Sequence, residues 1–94
     1  MATASARHIL VEDENICNQI KEQIENGDLS FSEAAEQYSL CPSGESGGDL
    51  GNFSEGQMVP EFDKVVFTEA LNVVHGPVQT DFGFHLLEIT ERSN

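Results

Sequence analysis

The chain has 94 residues, 38% of them apolar, and its 17 acidic side chains against four cationic ones give a formal net charge of −13. That length allows one domain, residues 1–94, with one modest core, and excludes a second. So acidic a surface repels phosphate backbones and acidic lipid, which argues against nucleic acid and membrane surfaces as partners and favours neutral or basic polypeptides; a simpler account is a solvated face for solubility or a salty environment. No apolar run is long enough to span a bilayer, and Met1 to Ala6 lacks the apolar core of a secretion signal. Two cysteines, Cys17 and Cys41, fall short of a disulfide framework, although a single bridge stays open. A soluble, cytoplasmic monomer is the expectation.

Taken in order, Ala6 to Val11 is expected to be a strand buried on both faces, with His8 and Leu10 on one side and Ile9 and Val11 on the other. Asp13 can cap a helix in which Ile16, Ile20 and Ile24 form the apolar stripe, Cys17 lies beside it as packing, and Asn26-Gly27 ends it. Ser30 and Glu33 form a capping-box pattern before Phe31, Ala34, Ala35 and Tyr38, which are spaced for a second, shorter helix. From Ser39 to Gly51 the composition is that of a loop. Its glycines resemble a phosphate cradle only superficially, because the P-loop lysine is missing and Asp49 would repel phosphate. A short strand, Leu50 to Phe53, follows the loop, and Pro60 opens a third helix carrying Phe62, Val65, Val66 and Ala70. Asn72 to Gly76 is expected to be an irregular link, with His75 as a surface loop residue. The chain then folds back as a hairpin of two strand segments joined at Asp81-Phe82-Gly83.

In that hairpin His85 shares a face with Leu87 and Ile89, so an imidazole points the same way as buried aliphatic groups. His8 does the same at the other end of the chain. Two inward-facing histidines are either separate core positions, each satisfied by a neighbour such as Thr80, or one shared site. Cys41 joins them as a third candidate. A structural zinc site would want four ligands with paired short spacings, and neither cysteine has a ligand partner nearby in sequence. A cysteine nucleophile would want a positive neighbour, and Cys41 precedes Pro42 near Glu45 and Asp49 instead. What remains is a shallow, mostly apolar cleft with polar residues in its floor.

The blocks Tyr38-Ser39-Leu40-Cys41-Pro42-Ser43-Gly44, Gly47-Gly48-Asp49-Leu50-Gly51, Gly56-Gln57-Met58-Val59-Pro60-Glu61-Phe62 and Gly76-Pro77-Val78-Gln79-Thr80-Asp81-Phe82-Gly83-Phe84-His85, with His8-Ile9-Leu10-Val11 ahead of them, resemble a parvulin-type peptidyl-prolyl isomerase. The order and spacing of five separated blocks make the resemblance specific, and it is strongest to the small single-domain bacterial parvulins. It implies an α+β fold, a four-stranded and mainly antiparallel sheet surrounded by helices, with His8 and His85 adjacent on central strands. It further implies that His8, Cys41, Thr80 and His85 form the catalytic floor, that Leu50, Met58 and Phe62 line a proline pocket bordered by Phe53, and that Phe82 makes the rim apolar. The activity it implies is cis/trans isomerisation of X-Pro bonds in proline-containing, unfolded or nascent polypeptides, with no metal or organic cofactor. A non-catalytic chaperone or peptide-binding module using the same cleft is the alternative.

Two departures from the family pattern stand out. The phosphate-directed branch places lysine and arginine in a loop after the first strand, whereas here the strand runs directly into Glu12-Asp13-Glu14. The link from Leu71 to His75 carries Asn72 and no glycine before Gly76.

Overall fold

The computed structural model describes residues 2–93, without the side chain of Ser43. Four strands, β1 (Thr3–Val11), β2 (Asp49–Ser54), β3 (Val74–Thr80) and β4 (Gly83–Ser93), form one sheet in the order β2-β1-β4-β3, with every neighbouring pair antiparallel. The first and last strands of the chain are therefore the central pair. The three helices are α1 (Glu14–Glu25), α2 (Phe31–Tyr38) and α3 (Pro60–Val66). A short 3₁₀ turn, Pro42–Ser46, lies between α2 and β2.

Alternation along β1 and β4 divides the core in two. Ile9, Val11 and Leu86 face α1 and α2 and pack on Cys17, Ile20, Phe31, Ala34 and Ala35. Ala4, Ala6, Leu87 and Ile89 face the other way and pack on Phe53 and on Phe62 and Val66 of α3. The ends of α1 and α2 follow the chemistry read from the sequence. Asp13 Oδ1 accepts from the Asn15 and Ile16 N–H groups, and Ser30 and Glu33 complete a reciprocal capping box.

Three expectations are corrected. The buried stripe of α1 runs through Cys17 and Ile20 with Ile24 packed beside them, while Ile16 is 45% exposed, so the buried face is turned towards Cys17 by a fraction of one residue, about 30°. The link before the hairpin is shorter than expected: β3 begins at Val74, and His75 pairs with Leu87 and sits half-buried with Nε2 2.8 Å from the Ala70 carbonyl oxygen. Pairing reaches this far because β4 is long enough to give both Val74 and His75 a partner. Asn72 takes the left-handed conformation (φ 60°) where a glycine is absent, and its N–H donates to the Ile89 carbonyl at 2.8 Å. The third correction is in β1, which begins at Thr3, and its added residues pair with the far ends of β2 and β4.

Gly48 couples the loop to the site. It has φ +82°, its carbonyl accepts from the His8 N–H at 2.9 Å, and a Cβ on it would collide with the His8 carbonyl oxygen. Gly48→Ala is expected to destabilise the domain by about 2 kcal/mol through left-handed backbone strain and that collision. Urea denaturation checks the stability, and a shift of the His8 ring resonances in the folded variant checks the coupling.

Candidate functional site

His8 lies in the middle of β1 and His85 near the start of β4, in a register that sets His8 opposite Leu87 and Leu10 opposite His85. The two histidines are therefore diagonal neighbours on the α3 face, within reach of one another. Their rings stack nearly parallel, with an interplanar angle of 15° and centroids 5.5 Å apart, and the two Nδ1 atoms are 3.3 Å apart. Thr80 comes from β3, where its Oγ1 is 2.7 Å from His85 Nε2 and accepts the Phe82 N–H at 3.2 Å. Phe62 closes the group from α3, presenting its ring edge-to-face to His85 at 4.7 Å and to His8 at 5.7 Å. Pro60 at the start of α3 and the N–H bonds of Phe62 and Asp63 to the Val59 carbonyl fix where that ring enters.

Both imidazoles are almost wholly buried, His8 at 5% and His85 at 3% exposure. Burial pushes the His8 pKa below its ordinary value, and burial followed by the neighbouring His8 pushes His85 down to about 4. At neutral pH the pair is uncharged, so its Nδ1 contact has one ring donating and the other accepting. Phe62 packs against both rings, and the burial of the pair disfavours its charged form.

Above the pair is an open cavity of about 390 Å³, within the range of small-ligand clefts. His8, His85 and Thr80 supply its polar lining, and Leu50, Met58, Phe62, Cys41 and Phe82 line it as well. Phe82 is 71% exposed, an apolar ring standing at the mouth. Cys41 is half-buried and held by its loop: its N–H and that of Leu10 both donate to Ser39 Oγ, at 3.3 and 3.1 Å, and the Leu40 N–H donates to the Leu10 carbonyl at 2.8 Å. The loop is thus tied to the strand that carries His8.

Of the nine residues singled out from the sequence, eight meet at this cavity and Phe53 does not. Phe53 pairs with Ala4 on β1 and stacks edge-on against Phe67 at 6.1 Å, 5% exposed in the core. Ala4 is four residues from His8 along the strand, about 13 Å, which is why a ring at that level cannot border the cleft. Leu10, Leu40, Pro42 and Val59 line the cavity and were missed. Leu10 was signalled by its alternation with His8, and Leu40 and Pro42 by flanking Cys41; nothing in the pattern marked Val59. Among the described residues, no group of three or more His, Cys, Asp or Glu side chains is placed to hold a metal ion.

With this geometry in view, the similarities to known proteins are coherent. The family model described as Rotamase: PPIC-type PPIASE domain matches residues 6–91. The chain is 42% identical over 90 residues to the foldase protein PrsA of Halalkalibacterium halodurans, covering 95% of this chain and 27% of that protein. The crystal structure of the peptidylprolyl isomerase PrsA from Bacillus anthracis superposes with a TM-score of 0.93 at 38% identity, covering 99% of this chain and 43% of that one. The solution structure of NmPin, the parvuline of Nitrosopumilus maritimus, superposes with a TM-score of 0.85 at 27% identity, covering 97% of this chain and 98% of that one. The chain thus spans about a quarter of the curated PrsA relative and nearly all of the parvuline.

Proposed function

The chain belongs to the PPIC-type peptidyl-prolyl isomerase family, and from that premise we propose that it accelerates cis/trans exchange of X-Pro bonds in unphosphorylated polypeptides and so assists their folding. The observation that carries this reading is an uncharged, desolvated histidine pair beneath an apolar cleft. The foldase name of the PrsA relatives supports the client class, unfolded or nascent chains containing proline.

The chemistry follows from the amide. Rotation about X-Pro meets a barrier of about 18–20 kcal/mol because twisting destroys amide resonance. The planar forms carry the separated charge of that resonance, and the twisted form carries less. A poorly hydrated cleft therefore disfavours the planar amide relative to the twisted one, and binding stabilises the transition state without any covalent step. Leu50, Met58 and Phe62 hold the pyrrolidine ring while the preceding carbonyl turns. His8, His85 and Thr80 keep the floor polar enough to be ordered yet without net charge, and Cys41 sets the polarity near the moving carbonyl.

Selectivity against phosphate follows from Glu12 and Asp13, both exposed at the end of β1, where a dianion would meet repulsion. Arg7 pairs with Glu88 at 3.5 Å, Lys21 donates to the Gly76 carbonyl at 2.9 Å, and Arg92 donates to the Val66 and Glu69 carbonyls at the end of α3, so three of the four cations serve the fold. Exchange-rate measurement by NMR on matched Ser-Pro and phosphoserine-Pro peptides tests the reading. The expected result is accelerated exchange for the unmodified peptide and none beyond it for the phosphorylated one. Binding without acceleration would make the domain a non-catalytic holder of peptides, and a clear preference for phosphoserine would reverse the assignment of selectivity.

A further inference from the structure

A second groove adjoins the first. It has a volume of about 470 Å³ and is lined by Val11, Glu12, Asp13, Ile16, Tyr38 and Leu40. Leu40 also lines the cleft over the histidine pair, so the two depressions share that side chain as a common wall. Three large apolar side chains stand exposed along this path, Ile16 at 45%, Tyr38 at 41% and Leu40 at 58%. The phase of α1 puts Ile16 there. With Cys17 buried, Ile16 is left partly uncovered and lines the groove together with Tyr38.

The chemistry of the groove is mixed in a particular way: an apolar bed with two carboxylates at its edge. Asp13 caps α1 through Oδ1, which holds its side chain in place, and Glu12 is exposed beside it. The cations of Arg7, Lys21 and Arg92 are committed to Glu88 and to main-chain carbonyls, and Lys64 is on α3 across the sheet. A lysine or arginine side chain fits such a surface, since its aliphatic stem covers apolar groups while its charged head stays at the acidic edge. The tyrosine ring adds a face that attracts a cation.

We propose that this groove is an accessory subsite that takes a lysine or arginine of the client polypeptide, within a few residues of the proline held in the adjoining cleft. The inference rests on the isomerase reading and sharpens its substrate class, to X-Pro segments with a basic residue at a defined offset. The shared Leu40 wall bounds the offset, because an extended chain advances about 3.3 Å per residue and only one side chain separates the two depressions there.

The test is a peptide series with a fixed Ala-Pro core, in which a single lysine is moved from four residues before the proline to four after it, with an all-alanine peptide as reference. Exchange catalysis is measured at low and high salt. Lysine on one side and over a narrow range of offsets is expected to raise kcat/KM about three- to tenfold over alanine, with high salt reducing the gain. Within one variant, Glu12→Gln/Asp13→Asn should bring the lysine-to-alanine ratio close to one; asparagine retains the helix cap, so loss of α1 is not the cause. Glu22→Gln/Glu25→Gln removes the same charge from an exposed part of α1 outside the groove and should leave the ratio in place. Ile16→Ser should lower it. A gain that is independent of offset and falls equally in both double variants would show a diffuse field and overturn the subsite, as would no gain at all. A gain that disappears as protein concentration rises would assign the groove to a second copy of the chain and also overturn it. Failure of the parent protein to accelerate even the alanine peptide would instead refute the isomerase reading, so the two failures are distinct.

Discussion

Replacing Phe62 with alanine is expected to cost about 3–5 kcal/mol of stability, the range for removing a buried aromatic ring, and to lower kcat/KM about 30- to 100-fold in the molecules that remain folded. The size of both effects comes from one placement. Phe62 is 5% exposed, packs with Val66 and Leu87 in the core under α3, and meets both histidines edge-on. Its removal opens the core and lets water reach the imidazoles, while the cleft above them loses part of its lining. Phe62→Leu separates the two consequences, because leucine refills much of the volume but restores no ring edge over the pair. Denaturation is expected to place leucine well above alanine in stability, with exchange catalysis still reduced. Parent-like turnover in Phe62→Leu would show that volume alone matters at this position.

Acid is expected to weaken the fold by about 2 kcal/mol between pH 7.5 and 5, and by about 3 kcal/mol by pH 4, through His85 alone. The sign follows from which state binds the proton. An unfolded histidine titrates near 6.5, and in the fold burial and the adjacent His8 hold His85 near 4. Between those values the unfolded chain takes up the proton more readily. Stability contributed by the neutral pair is therefore complete above the unfolded pKa and is lost as pH falls towards the folded one. His8, also shifted down, acts in the same direction. Urea titrations across this range, compared with a His8→Gln/His85→Gln variant, isolate the histidine part because every carboxylate is common to both proteins. The parent should show the steeper loss; equal slopes would mean that the pair is not held neutral. Catalysis by the folded protein should persist through most of that range and fall only as pH approaches the folded value near 4, where an imidazolium under the cleft favours the dipolar planar amide.

How much of this was legible beforehand varied by element. The central strands were legible because alternation carries its own phase: once His85 shares a face with Leu87 and Ile89, no other register buries them. The caps of α1 and α2 were legible because capping is local chemistry. The phase of α1 was not, since Ile16-Ile20-Ile24 and Cys17-Ile20-Ile24 both satisfy helical spacing, and only the depth of the core opposite decides which one is buried. The polar floor was legible as residue types, whereas the stacked geometry and the shared Nδ1 contact depend on the β1 to β4 register. Phe53 was misplaced because a resemblance orders residues along the chain without giving the level of each along the sheet. The start of β3 was missed because Asn72 to Gly76 reads as an irregular link, while the ladder already begins at Val74 and carries a register shift between His75 and Val78.

On the proposed reading, rotation proceeds by binding alone, in a cleft whose floor carries no charge and whose cysteine forms no bond to the client. The measurement that tests it most directly is the NMR exchange rate of an unphosphorylated X-Pro peptide with the parent protein and with folded Cys41→Asp and Cys41→Ser, together with a search for a peptide adduct on the parent by mass spectrometry. Cys41 lines the cavity rim and is positioned by Ser39, and the resistance to rotation is lost resonance, which needs no nucleophile. The predicted result is substantial exchange catalysis in both variants, no adduct and no cleavage. A loss on the order of 10⁴-fold in both variants with an adduct on the parent, the scale expected when a true nucleophile is removed, would contradict it.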